Sequence, residues 1–324
     1  MKPIALISGP FFHHLDHLGP LSHFLNCPLL VDDKETYRLG KQYYPEIDIH
    51  YDFVDLRKIA NHYDTIILST KYAKQELGNA YHAMNIHHMR FCYCPHGQSD
   101  KGLSDPSMIP ETNQDIILFY GETQKKRLNR EGPIIGNFRL AYYEKFRGKL
   151  DTFTLQELAS FPKQKTILYA PTWNDQETAT TFFKTWKELI DRLPDSYNLI
   201  IKLHPLLEKH YPAETHTALS FNHCKPNVRI LFEFPLIYPL LNRTDIYLGD
   251  YSAVGYDFLY FNRPLFFLGA KPVPLHACGT RVHSVSHFFQ NLTDAQHHLN
   301  EQRTHVYNET FTSFSSSIFS KSLK

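Results

Sequence analysis

Three observations predict an α/β fold of two doubly wound, Rossmann-like domains. Short apolar runs alternate with longer amphipathic ones along nearly the whole chain, the pattern of strands and helices taking turns in a mostly parallel sheet. The alternation restarts after the polar stretch Arg147–Thr154. The length, 324 residues with 42% hydrophobic content, suits about two domains of ordinary size. The spacing therefore predicts an N-terminal domain over residues 1–150 and a C-terminal one over 151–324. Two such domains in one chain usually face each other across a cleft, with ligand-binding residues at the carboxyl ends of the strands.

In chain order, the first series of strands is expected at Pro3–Ser8, Leu29–Val31, Thr65–Ser69, Arg90–Cys94, Ile116–Tyr120 and Ile134–Ile135. Helical patterns at Lys71–Met84 and Glu122–Arg130 lie between several of them. The second series runs through Thr166–Ala170, Asn198–Leu203, Val228–Leu231, Ile246–Leu248 and Leu265–Leu268. Helices at Thr181–Leu193, Pro235–Asn242 and Ala253–Phe261 separate them. The serine-rich Ser313–Ser322 is expected to fray.

Composition removes several function classes. With 34 basic and 33 acidic residues spread along the chain, net +1, there is no polybasic run for nucleic acid or a lipid surface. The apolar runs fall far short of the roughly 20 residues a membrane helix needs, and MKPIALISGPFF is too short and too early broken for a signal peptide. A cytoplasmic small-molecule enzyme is the expectation. Five cysteines without CxxC spacing argue against a disulfide framework or a zinc ribbon; Cys92 and Cys94 share one face of a strand and fill core space. Of 20 histidines, His13, His14 and His17 form the tempting cluster. Proline and glycine surround it and no carboxylate stands in HExxH register, so a solvated loop or helix start is favoured over a metal site. His283 and His287, also four apart, have the same reading, and His87-His88 reads as a solvated turn.

Four strands end in compact polar signatures. Pro95-His96-Gly97-Gln98 holds a histidine on a constrained turn, suited to a general base, with a bond to its own loop as the other reading. At Ala170-Pro171-Thr172-Trp173 the Thr172 hydroxyl can meet a phosphate, while Trp173 is expected in the core. Lys202-Leu203-His204-Pro205 places Lys202 and His204 on one strand face, where both donors can reach one phosphate. At Gly249-Asp250-Tyr251-Ser252 a strand feeds a helix directly, with Asp250 or Ser252 as N-cap. A pyrophosphate docked there would meet Ser252 and the N–H groups of Ala253 and Val254. Asp250 would then face a sugar or glycerol hydroxyl, since a carboxylate repels phosphate. Arg281 and Arg263 are cationic candidates for charge stabilisation, with solvated surface as the alternative.

Taken in this order and spacing, the signatures resemble the CDP-glycerol glycerophosphotransferase family, which includes teichoic acid primases and polymerases. The resemblance runs from about Arg90 to Ala270 and is carried by ILYAPTWND at Ile167–Asp175, IIKLHP at Ile200–Pro205, GDYSAVGYDF from Gly249, and NRPLFF at Asn262–Phe267. Gly136-Asn137-Phe138-Arg139 stands where the family has a glycine-proline-arginine type turn. The resemblance implies a GT-B architecture with His96 as the base, His204 and Ser252 on the donor phosphates, and Asp250 alongside. The implied reaction is attack of an acceptor hydroxyl, on a polymer or lipid, at the β-phosphorus of a CDP-linked alcohol, releasing CMP. Phosphoryl transfer asks mainly for positioning and charge stabilisation. No DxD motif is present, so neither a catalytic metal nor a cofactor is expected.

The chain departs from the family at two points: PHGQS stands where WHGTP is common, and Asn174 where a basic residue follows APTW. Both bear on whether the donor alcohol is glycerol, ribitol or a sugar. The amphipathic basic helices by which family members attach to the inner membrane face are not visible. Two other readings use the same cleft: a GT-B glycosyltransferase taking a nucleotide sugar, and a catalytically silent nucleotide-binding protein.

Overall fold

A computed structural model describes residues 2–70, 73–100, 114–174, 178–269 and 271–315. Lys71, Asp175, Ala270 and residues 316–322, which enter the sequence reading, lie outside them. By contacts the chain divides into two compact units. The first takes the described residues of 1–98, 103–147 and 309–324; the second takes those of 99–102 and 148–308. The last residues were assigned by sequence to the second domain, but they pack with the first unit: Thr312 N donates to Tyr120 O at 2.9 Å, and Asn137 N to Thr312 O at 2.8 Å.

The first unit carries a parallel sheet of β1 (Pro3–Ile7), β2 (Leu29–Val31), β3 (Ile49–Tyr51), β4 (Thr65–Leu68), β5 (Arg90–Tyr93) and β6 (Ile116–Ile117), in the order β3-β2-β1-β4-β5-β6. Its helices are α1 (Leu15–Leu25), α2 (Lys34–Tyr43), α3 (Leu56–His62), α4 (Ala73–Ala83), α5 (Glu122–Leu128) and α6 (Phe138–Glu157), the last running on into the second unit. Strands β1 and β4 are buried along almost their full length, as a sheet covered on both faces requires. Ile4, Leu6, Ile66, Leu68 and Phe91 belong to one apolar cluster with Ile59, Ala60 and Tyr81.

The second unit repeats the architecture with β7 (Lys165–Ala170), β8 (Tyr197–Lys202), β9 (Val228–Leu231), β10 (Ile246–Gly249), β11 (Leu265–Phe267) and β12 (Thr280–Arg281), in the order β12-β11-β10-β7-β8-β9. Around it lie α7 (Phe182–Asp191), α8 (Pro205–His210), α9 (Pro212–Leu219), α10 (Ile237–Asn242), α11 (Val254–Phe258), α12 (Val285–Gln290) and α13 (Asn300–Thr310). Ile167, Leu199, Ile201, Leu248 and Phe266 form one core with Phe182, Trp186 and Leu189 of α7 and Phe288 of α12. Both units thus have the doubly wound α/β fold expected. In each, the strand order reverses once, between β1 and β4 and between β7 and β10.

Several expectations are corrected. The polar stretch Arg147–Thr154, after which the second series of strands begins, lies within α6, which is interrupted only by non-helical angles at Phe146. Its charged residues face outward while Tyr143, Leu150 and Thr154, seven and four apart, are buried on one stripe. Ile134–Ile135 makes only an isolated bridge with Phe119 instead of a strand. Gly132 and Gly136 flank it, and at Gly136 φ is +83°, outside the extended region. Strands β3 and β12 carried no alternation signal, being three and two residues long. Among the described residues, no helix is long and apolar enough to cross a membrane.

Candidate functional site

In the second unit the strand-end signatures gather where the order reverses. Asp250, just past β10, is 1% exposed. One carboxylate oxygen accepts from Thr172 N at 2.8 Å and Tyr251 N at 2.6 Å, the other from Thr181 N and Thr181 Oγ1, both at 3.0 Å. The carboxylate therefore ties the loop after β7 to the loop after β10. Burial pushes its carboxyl above the ordinary value, against the pull of these donors toward ionisation.

That engagement corrects the capping expectation. The N-cap of α11 is Ala253, without a side-chain cap bond, so neither Asp250 nor Ser252 takes that place. Ser252 is buried and accepts from Gly255 N through its carbonyl at 3.2 Å.

The loop after β8 begins α8 with His204 as N-cap and Pro205 at the first helical position, where proline's missing N–H costs nothing. Here an imidazole replaces the usual Asn or Asp: Nδ1 of His204 accepts from Leu206 N at 3.2 Å. A ring nitrogen that accepts carries no proton, so in the neutral ring the proton sits on Nε2 as a donor. The Trp173 ring lies 6.3 Å from that of His204 and stacks on His210 at 5.5 Å. Trp173 is only partly buried, packing against the core instead of lying within it. Asn174 donates to Tyr211 Oη at 2.8 Å and accepts from Thr180 N at 2.7 Å.

Three predicted cations serve carbonyls of their own unit. Lys202, expected beside His204 on a phosphate, is buried and donates to Leu203 O at 3.2 Å and Phe232 O at 3.1 Å. Arg281 donates to Gly269 O at 3.3 Å. Arg263 donates to the Asn242 and Thr244 carbonyls that follow α10, instead of lying solvated.

Sequence reasoning missed His276. Its Nε2 donates to the Asp250 carbonyl at 2.9 Å, and its ring stacks on Phe267 at 4.6 Å. The ring is 5% exposed, and its Nδ1 has no hydrogen-bond partner among the described residues. Burial lowers its pKa, which keeps it neutral. No strand-end signature marks this histidine, which lies in a 3₁₀ turn over Pro274–Cys278. Asp100, four residues after His96, belongs by contacts to this unit and accepts from Tyr256 Oη at 2.7 Å and Leu275 N at 3.1 Å.

In the first unit His96 follows β5 and is exposed. Its Nδ1 donates to Ser69 O, just past β4, at 3.3 Å. This leaves Nε2 of the neutral ring unprotonated, the tautomer a general base needs. Gly97 has φ +102°, which lets the chain turn sharply beside it.

His13, His14 and His17, read as a solvated loop or helix start, lie in a 3₁₀ turn and the first turn of α1, and they surround this ring. Centroid distances to His96 are 6.2, 5.5 and 6.4 Å respectively. His14 and His17 are buried. Burial, then the Arg139 guanidinium and the three neighbouring imidazoles, hold His17 well below the ordinary histidine value. Arg139, from the Gly136-Asn137-Phe138-Arg139 turn, makes a buried ion pair with Asp16. Among the described residues, no group of three or more His, Cys, Asp or Glu is arranged to hold a metal ion. Only the topology, not spacing in the sequence, brings β1 and β5 loops 80 residues apart to one place.

The family model for CDP-glycerol:poly(glycerophosphate) glycerophosphotransferases matches residues 149–270. The second unit is CDP-glycerol glycerophosphotransferase-like. Thr172, Lys202, His204, Asp250 and Ser252 all fall in the matched stretch, whereas His96 does not. The teichoic acid glycerol-phosphate primase of Bacillus subtilis is 29% identical over 128 residues, 39% of this chain and 30% of the primase. The primase of Bacillus spizizenii is 28% identical over the same length. The match thus spans under a third of these relatives.

Solved structures show the fold across both units. The wall teichoic acid polymerase TagF matches with TM-score 0.63 at 14% identity, covering 99% of this chain and 87% of that one. The UDP-GlcNAc 2-epimerase of Neisseria meningitidis matches with TM-score 0.60 at 16% identity, covering 100% and 99%. The architecture is therefore GT-B-like, as the resemblance implied.

Proposed function

We propose that the protein is a transferase that moves a phosphoalcohol, glycerol phosphate or a close relative, from a CDP-linked donor to an acceptor hydroxyl on a cell-surface polymer or lipid, releasing CMP. One observation carries this reading. The turns in the glycerophosphotransferase-like stretch lie at the carboxyl ends of β7, β8 and β10, at the point where the strand order reverses. Open α/β sheets bind their ligands there.

In this reading His204 presents Nε2–H to the donor phosphates and Ser252 its hydroxyl, with the N–H of Ala253 and the hydroxyl of Thr172 beside them. Asp250, expected to face the donor alcohol or ribose, holds the β7 and β10 loops in register through Thr172 and Thr181. Lys202 braces the ends of β8 and β9, and Arg281 adds positive charge near the departing nucleotide. His96 accepts the proton of the attacking hydroxyl at Nε2. The oxygen bonds to the β-phosphorus, the bond to the bridging oxygen breaks, and CMP departs with the electron pair. No step calls on a metal or cofactor.

Titration calorimetry with CDP, CMP, UDP, GDP and ADP tests the donor. Cytidine selectivity that is lost in His204→Ala, with CMP released from CDP-glycerol when an acceptor is present, is expected. Preference for UDP turns the reading toward a nucleotide-sugar glycosyltransferase, and binding of none of the five removes it.

A further inference from the structure

Three carbonyls define the turn that carries His96, and each has its own donor. Ser69 O receives Nδ1–H of His96 itself at 3.3 Å. Pro95 O receives the Tyr120 hydroxyl at 3.2 Å. Gly97 O receives Nε2–H of Gln124 at 3.4 Å, while Oε1 of the same amide accepts from Tyr120 N at 3.1 Å. Tyr120 and Gln124 are 1% and 0% exposed, so neither side chain is a surface bystander.

The Tyr120 hydroxyl has a single proton, and Pro95 O takes it. Nδ1 of His17, 2.9 Å away, must therefore donate to that oxygen, which fixes the proton of His17 on Nδ1. The Tyr120 ring is clamped independently, stacked on Phe138 at 5.3 Å and edge-on to Phe311 at 5.7 Å. A relay of assigned protons thus runs from His17 through Tyr120 to Pro95, and a second from Gln124 to Gly97. Both end on the residues either side of His96.

We propose that Tyr120, Gln124 and His17 are positioning residues for His96: they lock the turn at Pro95–Gly97 so that Nδ1 of His96 stays on Ser69 O and the basic lone pair stays on Nε2. The catalytic consequence rests on the proposed role of His96; the tautomer does not. None of the three touches a reacting atom. Released from the turn, the imidazole can place its proton on either nitrogen, and a fraction of molecules then presents N–H where a base is needed.

The test uses the full chain labelled with ¹⁵N-histidine, because the ring nitrogens of the two tautomers resonate far apart, with His96→Ala to assign the signals. Wild type is expected to show His96 as the Nδ1–H form. Tyr120→Phe, which keeps the ring contacts, and Gln124→Met are each expected to move it toward a mixture. His17→Asn, whose amide can still donate to the Tyr120 oxygen, is expected to leave it in place. In turnover of CDP-glycerol, Tyr120→Phe and Gln124→Met should lower kcat by about 10–100-fold with the donor KM unchanged. An unchanged tautomer in either folded variant overturns the proposal, as does a loss seen only in melting temperature. If His96→Ala itself turns over normally, the base reading fails, and the tautomer measurement still decides the positioning.

Discussion

The two units share one topology and use it differently. Numbered within each unit, both sheets run 3-2-1-4-5-6, with one reversal of order. In the second unit that point is closed by a carboxylate: Asp250 bonds the amides of Thr172, Thr181 and Tyr251. In the first unit it is lined by imidazoles, His13 and His14 just before α1 and His17 in its first turn meeting His96 from the end of β5. Identical backbone topology therefore supplies an address, and the side chains delivered there decide the chemistry. A buried anion that collects N–H groups makes a rigid floor. A knot of imidazoles makes a place where protons can be held or taken.

The comparison breaks most readily at His96. His96→Ala should lower CMP release by about 10²–10⁴-fold while calorimetric affinity for the donor stays unchanged. Loss of donor affinity instead would mean the labour is not divided between the units as proposed. Next in size is Asp250→Ala, which strands three amides, those of Thr172 and Tyr251 buried and that of Thr181 partly so. A loss of about 3 kcal/mol or more is expected in urea unfolding, because each buried donor left unpaired costs about 1–3 kcal/mol. A change below 1 kcal/mol would show that the loops hold without it.

His204→Ala and Ser252→Ala should each weaken donor binding by about 1–3 kcal/mol, as expected for hydrogen bonds to phosphate. If affinity is unchanged in both, the phosphate seat lies elsewhere.

The smallest effect sharpens the contrast through pH. His17 is held well below its ordinary value of 6.5, and His276 is lowered too. As pH falls below about 6.5 the unfolded chain takes up protons that the folded one refuses, so the stability these groups contribute is present above that value and is lost below it. Each contributes up to about 1.4 kcal/mol per pH unit. Replacing His17 by Asn should flatten the slope of unfolding free energy between pH 5 and 6.5 more than replacing His276 by Asn. The reverse order would contradict the stronger depression of His17.

What the sequence made legible follows from how local each signal is. The strands β1, β4, β7 and β8 are continuous apolar runs ending in polar turns, and they are found within a residue or two of the structure. The residues proposed to meet the donor phosphates are legible because each sits on such a turn. At Lys202 the sequence falls short, since alternation fixes the face of a strand residue but not that the carbonyls of Leu203 and Phe232 accept from its ammonium. His276 and the partnership of His13, His14 and His17 with His96 were invisible because they arise only when distant loops meet. The long helix α6 hid behind its charged face, whose buried stripe of Tyr143, Leu150 and Thr154 is sparse and partly polar.

One feature of the chain path bears on synthesis. The second unit is built almost entirely from the continuous run 148–308, but the first needs residues beyond 308. Thr312 bonds Tyr120 and Asn137, Ser315 N reaches Ile135 O, and Phe311 packs edge-on to Tyr120. On the ribosome, the first unit is consequently begun before the second and completed after it. The second unit has all but four of its residues in one unbroken stretch, translated before Phe311, one of the two rings that clamp Tyr120. Maturation of the His96 turn is thereby deferred until residues 311–315 have been made.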